Sequence, residues 1–311
     1  MCNLSYDDAY NAQVAANFFR TGVYKVSYPN DITYYNLITT GPVMLLMSSL
    51  FYFVSGGVGV LATQLPAIVY GTGCIILAYL FFQKYFQKNS KCMALLGVLL
   101  LILCNRYILR QSLNLLGECA ALFFALLTLL LLQKGFCCKQ KRWFVLSGFF
   151  LTLALNSKEI MIFFVIALCG LFLIDIVVWK EAQLTQCISF LAGGIVGRLC
   201  IDAFKLYQLK TLDNLLMWYL LELKNIYSQS GGTSNLHSFS IEQIIDRINY
   251  LKDVYFSCHA ITLGVLMLLP IVAYFVLHFF YKTTVKYIPL LYCGVGGASL
   301  LVYYVLLGGQ D

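Results

Sequence analysis

Apolar residues gather along this chain into runs at roughly 43–55, 58–82, 92–104, 117–132, 143–156, 160–178, 184–197, 260–280 and 288–307. A bilayer core of about 30 Å takes about 20 helical residues to cross, so the longer runs reach across and the shorter ones stop inside it. The pattern predicts an all-α fold, a polytopic transmembrane helical bundle with about eight spans and further helices at the outer face. The run 43–55 is read as a helix lying at or dipping into the outer surface, and the remaining runs as the spans. Two longer polar stretches, 1–42 and 198–259, interrupt the series, and the whole of 1–311 reads as one membrane domain.

Both polar stretches carry helical patterning of their own. A helix over Ala9 to Arg20 follows the acidic pair Asp7 and Asp8, with Gly22 as its stop. In the second stretch Leu206, Leu209, Leu212, Leu216, Tyr219, Leu220 and Leu223 recur at helical spacing between Lys205, Lys210, Asp213 and Lys224. That predicts an amphipathic helix suited to lying along the membrane interface. A looser stretch from Ser228 to Ser238 with Gly231 and Gly232 follows, and Ser240 with Gln243 forms a capping box for a helix through about Phe256. A loop of this kind over a membrane face serves as a lid or as a structural cover, and the pattern leaves both open.

Composition agrees with the membrane reading and excludes a soluble class. Hydrophobic residues make up 60% of the chain and charged residues only 11%, with a mean hydropathy of +0.80. A soluble domain carries about 25% charged residues. The net charge of +7 does not point to nucleic acid, because the basic residues sit in short clusters between apolar runs. The segments 83–91, 133–142, 179–183 and 281–287 hold ten basic residues against the single acid Glu181. The alternate set, 1–42, 105–116, 157–159 and 198–259, holds eleven over far more chain, matched by acids. The positive-inside rule therefore assigns the first set to the cytoplasm and leaves 1–42 and 198–259 outside. The twelve cysteines show neither metal-ligand nor disulfide-framework spacing and read as small apolar side chains, with Cys137 and Cys138 in a basic loop. Neither a signal peptide nor a spanning helix is visible ahead of Ser5-Tyr6-Asp7-Asp8.

A few charged residues fall where chemistry is conceivable. Asp7 and Asp8 open the first helix, where Ser5 and Asp8 match a capping box and acids favour the positive end of the helix dipole. The functional alternative is a carboxylate at the outer surface that takes a proton from an acceptor or binds a divalent cation. The run 143–156 has 14 residues and covers only about 21 Å at 1.5 Å per residue. Starting from Arg142 on the cytoplasmic side, it places Lys158 and Glu159 at a turn below the outer headgroups. Charges at that depth face a cavity or pair locally, so Lys158 is either half of a Lys–Glu pair or the ligand of a phosphate. Arg106 and Arg110, one helical turn apart after the short run 92–104, form a candidate phosphate clamp or pair with Glu118 at the next helix. His237 and His259 lack companion ligands, and Asp175 lies near the cytoplasmic end of its helix.

Asp7-Asp8-Ala9-Tyr10, followed by Ala12, Ala15 and Gly22, resembles the first outer loop of membrane glycosyltransferases of the C-type fold. That group includes protein O-mannosyltransferases and the aminoarabinose transferases of lipid A. Thr39-Thr40-Gly41-Pro42 leading to Ser55-Gly56-Gly57, Gly117-Glu118, and Gly148-Phe149-Phe150 running to Asn156-Ser157-Lys158 are similar to later landmarks of the same family. The resemblance covers much of 5–180 and lies in the order and spacing of short motifs, while 198–259 is not distinctive. It implies a transferase that moves a sugar from a polyprenyl-phosphate donor to an acceptor at the outer face, with inversion at the anomeric carbon. By it Asp7 matches the principal acidic residue, Asp8 its partner, and Lys158 the lysine on the lipid phosphate. A divalent cation, Mg or Mn, is a candidate cofactor at Asp7. The family also carries a spanning helix before the acidic loop and helices beyond Gly309-Gln310-Asp311, so a chain incomplete at both ends is expected.

The alternative is a transporter or flippase for a lipid-linked or small anionic substrate. Transport calls for charges around a midplane site, broken helices and an internal repeat. The spans carry few midplane charges, and no convincing repeat is visible. The expected partners are the polyprenyl-phosphate donor, an acceptor and membrane lipid. The compact loops point to a bacterial inner membrane with the active site outside.

Overall fold

In a computed structural model the described residues are 6–27, 31–35, 40–85, 115–174, 176–177 and 183–230, with isolated positions at 242, 245, 246 and 249. The chain is helical nearly throughout them. Helix α1 (Tyr6–Thr21) leads into a small antiparallel hairpin of β1 (Lys25–Val26) and β2 (Ile32–Thr33), then α2 (Pro42–Ser55) and α3 (Val60–Tyr85). Helices α4 (Glu118–Cys138) and α5 (Lys141–Leu155) follow, then a 3₁₀ turn, η1 (Glu159–Met161). Helices α6 (Ile162–Ile174), α7 (Leu184–Leu209) and α8 (Leu212–Ser230) complete the series. Val60–Phe81, Glu118–Cys138 and Leu184–Leu209 are long and apolar enough to cross a membrane, as the polytopic helical fold requires. The expected spans at 92–104, 260–280 and 288–307 lie outside the described residues, as does the helix through Phe256.

The helix ends follow local chemistry. Gly22 takes a left-handed conformation (φ +69°) and its N–H reaches Phe18 O, closing α1 as expected. Pro42 starts α2, where its missing N–H costs nothing. Gly56 (φ +74°) and Gly57 cap the other end, with N–H groups on Phe53 O and Tyr52 O. Two ends differ from expectation. Helix α4 runs on to Cys138, so Lys134, Cys137 and Cys138 lie on a helix rather than in a loop. Helix α7 passes through Arg198, Asp202 and Lys205 to Leu209, and the break comes at Lys210 (φ +70°). The single amphipathic helix predicted across that point is therefore the end of α7 plus α8.

The chain forms two compact units. The first comprises 1–127, 149–159 and 195–222. Its core joins α1, α2 and α3: Met44, Leu45 and Tyr52 are fully buried, Ser49 Oγ donates to Ala15 O at 2.9 Å, and Tyr52 bonds Thr63 Oγ1 at 2.6 Å. Gly73 lies against the ring of Phe123, which a side chain there would have to displace, and Tyr70, Phe124 and Phe150 extend the aromatic layer. The second unit comprises 128–148, 160–194 and 223–311. Within it Phe136, Phe144, Phe172 and Phe190 pack as one cluster. Gly148 meets the backbone of Phe190 and Gly194, and Gly193 that of Val145, the close helix approach that small residues permit inside membranes.

Candidate active site

Four separated segments of the first unit converge around the peptide groups of Leu115 and Leu116. Asp8, in the first turns of α1 and only 2% exposed, accepts the Leu115 N–H on Oδ1 at 2.6 Å. Asn11, one turn further along the same face, donates from Nδ2 to Leu115 O at 2.6 Å and to Thr40 Oγ1 at 3.0 Å. Both backbone groups of Leu115 are thereby held by α1 side chains, which answers the cost of burying them.

The segments at 40–41 and 156–158 interlock just beside this clamp. Thr40 and Lys158 form an antiparallel bridge, and the Gly41 N–H donates to Ser157 O at 3.1 Å. A Cβ at Gly41 would run into the carbonyl of Asn156. Gly117 adopts a left-handed conformation (φ +83°), and a Cβ there would collide with Ser157 O and press on Thr40. The two glycines are thus needed for close approach of three strands of backbone. Gly117→Ala combines backbone strain with a steric clash and is expected to destabilise the protein by about 2–4 kcal/mol. Thermal unfolding in detergent measures this, and an unchanged midpoint would contradict the packing described.

Lys158 reaches back over the same segment. Its Nζ donates to Leu116 O at 3.3 Å and pairs with Glu118 Oε1 at 3.1 Å, and its side chain is 20% exposed. The partner of Lys158 is thus Glu118, on the first turn of α4, rather than its neighbour Glu159. Glu118 Oε2 is buried and has no hydrogen-bond partner among the described residues.

The structure therefore brings Asp8, Glu118 and Lys158 to one place, together with Asn11, which sequence reasoning did not single out. Asp7 sits in the first turn of α1 next to Asp8, and its side chain lies outside what the structure describes. Arg106, Arg110, Ser5, His237, His259 and Asp175 lie outside the described residues as well. Among the described residues no group of three or more His, Cys, Asp and Glu side chains could hold a metal ion.

A second charged cluster, also unforeseen, lies at the other side of the Lys158 turn. Lys205 Nζ approaches Glu222 Oε2 at 3.9 Å, and Glu159 lies within reach of both charges. Lys205 is 4% exposed and lies under the rings of Trp218, Tyr219 and Tyr34, at 3.4, 4.9 and 5.6 Å from their centroids. Arg198 Nε pairs with Asp202 at 3.1 Å, and the hydroxyl of Tyr219 also donates to Asp202. Trp218 Nε1 donates to Tyr34 O at 2.9 Å, and Gln208 bonds the backbone of Tyr24 and Gly22, tying α7 and α8 to the hairpin. Lys205 had read as part of the polar face of a surface helix. Instead Lys205 and Glu222 point inward, while Leu212, Leu216, Leu220 and Leu223 form an exposed apolar stripe. The usable sequence signal was the spacing of Arg198, Asp202 and Lys205 on one face of an apolar helix.

Residues 39–202 match the family model described as dolichyl-phosphate-mannose-protein mannosyltransferase, which takes in the segments at 40–41, 115–118 and 156–158. Among solved structures the chain is similar to the crystal structure of ArnT from Cupriavidus metallidurans in the apo state, with a TM-score of 0.46 and 13% identity over 98% of this chain and 73% of that one. No curated protein matches the chain. The family match covers more than half of the sequence, and the chain belongs to the dolichyl-phosphate-mannose-protein mannosyltransferase family. It is a membrane glycosyltransferase that draws its sugar from a lipid-linked donor.

Proposed function

We propose that the protein transfers a sugar from a polyprenyl-phosphate donor to a hydroxyl acceptor at the outer face of the membrane, with inversion at the anomeric carbon. The supporting observation is the convergence of Lys158, Glu118 and the Asp8-bearing start of α1 on the backbone of Leu115 and Leu116. The acceptor oxygen attacks the anomeric carbon as the bond from that carbon to the phosphate oxygen breaks. Polyprenyl phosphate leaves with the bonding pair, and the acceptor proton passes to Asp7. Lys158 meets the growing charge on the leaving phosphate at a poorly solvated site, where a fixed cation acts strongly. Arg106 and Arg110 are assigned as further phosphate contacts. Asp8 assists by fixing the first turn of α1, and a divalent cation at Asp7 remains a candidate rather than a requirement.

The topology of this reading follows the charge pattern, with residues 1–42 and the stretch beyond α7 outside, most simply on a bacterial inner membrane. The leucine stripe of α8 supports it, since an exposed apolar face beside inward-facing charges suits a helix resting in lipid. The test is an assay in proteoliposomes with a radiolabelled polyprenyl-phosphate sugar and a hydroxyl acceptor. Cleavage of the donor with release of polyprenyl phosphate is expected, and a nucleotide sugar should not replace the lipid donor. Movement of intact donor across the bilayer without cleavage would favour transport instead.

A further inference from the structure

We infer that the turn between α4 and α5 is a binding site for the phosphate headgroup of an anionic membrane lipid. Lys134, Lys139, Lys141 and Arg142 gather there, and 133–142 contains no acid. All four are exposed, with Lys134 near the end of α4, Lys139 at the turn itself (φ +51°) and the other two opening α5. Among the described residues none of them pairs with a carboxylate. The charge pattern assigns this turn to the cytoplasm, where the leaflet surface is negative.

Helix stability does not account for these cations. Lys141 and Arg142 occupy the first turn of α5, which carries no acid. Unpaired N–H groups make that end of a helix positive, so a cation is disfavoured there and an anion favoured. Two like charges also share one ring. Lys134 Nζ lies 3.8 Å, and the Arg142 guanidinium carbon 5.0 Å, from the centroid of Trp143. The ring attracts each of them, but they repel one another. A phosphate among the charged heads relieves both costs at once.

The surroundings suit a lipid rather than a free ion. Trp143 is half-buried and its Nε1 donates to Gln140 Oε1 at 3.1 Å, the apolar body and wet edge of an interfacial indole. Gln140 Oε1 also accepts from Arg142 Nε at 3.0 Å, which sets guanidinium and indole side by side. Val145 and Leu146, further along α5, are exposed where acyl chains would run from the headgroup. Behind the turn the scaffold is firm. Phe144 is fully buried against Gly135 and Phe136, and Ser147 Oγ donates to Thr128 O at 3.0 Å. The backbone that carries the cations is therefore already in place, and a headgroup needs to order only side chains.

Native mass spectrometry of the full chain in detergent, with phosphatidylglycerol or phosphatidylcholine added, tests this. Wild-type protein is expected to retain phosphatidylglycerol about tenfold more strongly than phosphatidylcholine, with the preference weakening as salt rises. Each charge removed should weaken retention of phosphatidylglycerol about fivefold. Lys139→Gln, Lys141→Gln and Arg142→Gln combined should therefore abolish the preference. Glycerol phosphate, the free headgroup, should not displace the bound lipid at millimolar concentration. Equal retention of the two lipids by wild type, or an unchanged preference in the combined variant, overturns the site. Displacement by glycerol phosphate would make it a site for a free anion and overturn the lipid assignment. Should the combined variant not fold, Lys141→Gln alone decides through the same fivefold loss. The outcome is independent of the transfer assay. Protein that prefers phosphatidylglycerol yet cleaves no donor would refute the transferase reading and leave the lipid site standing.

Discussion

Asp7→Asn is expected to abolish sugar transfer, lowering kcat by about 10²–10⁴ while donor binding stays within a few-fold. Asparagine keeps the size and the hydrogen-bonding capacity of the side chain but cannot accept the acceptor proton. The neighbouring Asp8 cannot substitute, because its carboxylate is buried and committed to the Leu115 N–H. Asp8→Asn should therefore behave differently. It replaces an acceptor on that N–H by an amide, loosens the start of α1 and lowers both stability and activity together. Steady-state kinetics with a polyprenyl-phosphate sugar, beside donor binding by a fluorescent lipid analogue, separates the two. Full transfer activity in Asp7→Asn would remove Asp7 from the chemistry and return the acidic pair to a capping role.

Lys158→Met is expected to lower kcat/KM for the donor by about 10²–10³, the scale of losing one fixed charge from a leaving group in a poorly solvated site. Methionine keeps the aliphatic stem and its packing. The competing explanation is structural, since the variant also leaves Glu118 without its cation and Leu116 O without its donor. Glu118→Gln distinguishes them: it breaks the ion pair but leaves Lys158 charged, and a loss much smaller than that of Lys158→Met is expected. Equal losses in both, with equal drops in unfolding temperature, would mean that the pair only holds the segments together.

The existence of helices was legible in the sequence, because apolar runs in a membrane report burial directly. Their ends were less so. The apolar run that becomes α7 ends at Gly197 only when charged residues are taken as loop. Arg198, Asp202 and Lys205 continue the helix because Arg198 pairs with Asp202, and Lys205 with Glu222 and the Trp218 ring. The hairpin at 25–33 escaped notice because its two-residue strands are too short to show a period. At the site, Lys158 and Glu118 were each recognisable as charges out of place. Which acid meets which base was not, because partners come from distant segments: Lys158 turns to Glu118, and Lys205 to Glu222. Asp8 matched a local capping pattern, whereas its observed bond is to a residue more than a hundred positions away.

The most direct test of donor binding at the Lys158 turn is a cryo-electron microscopy structure with a polyprenyl-phosphate sugar bound, read for the distance from Lys158 Nζ to the nearest phosphate oxygen. The expected result is a charge-assisted contact of about 2.7–2.9 Å, with the anomeric carbon facing Asp7. A phosphate seated elsewhere, with Lys158 still engaged by Glu118 and Leu116 O, would contradict it.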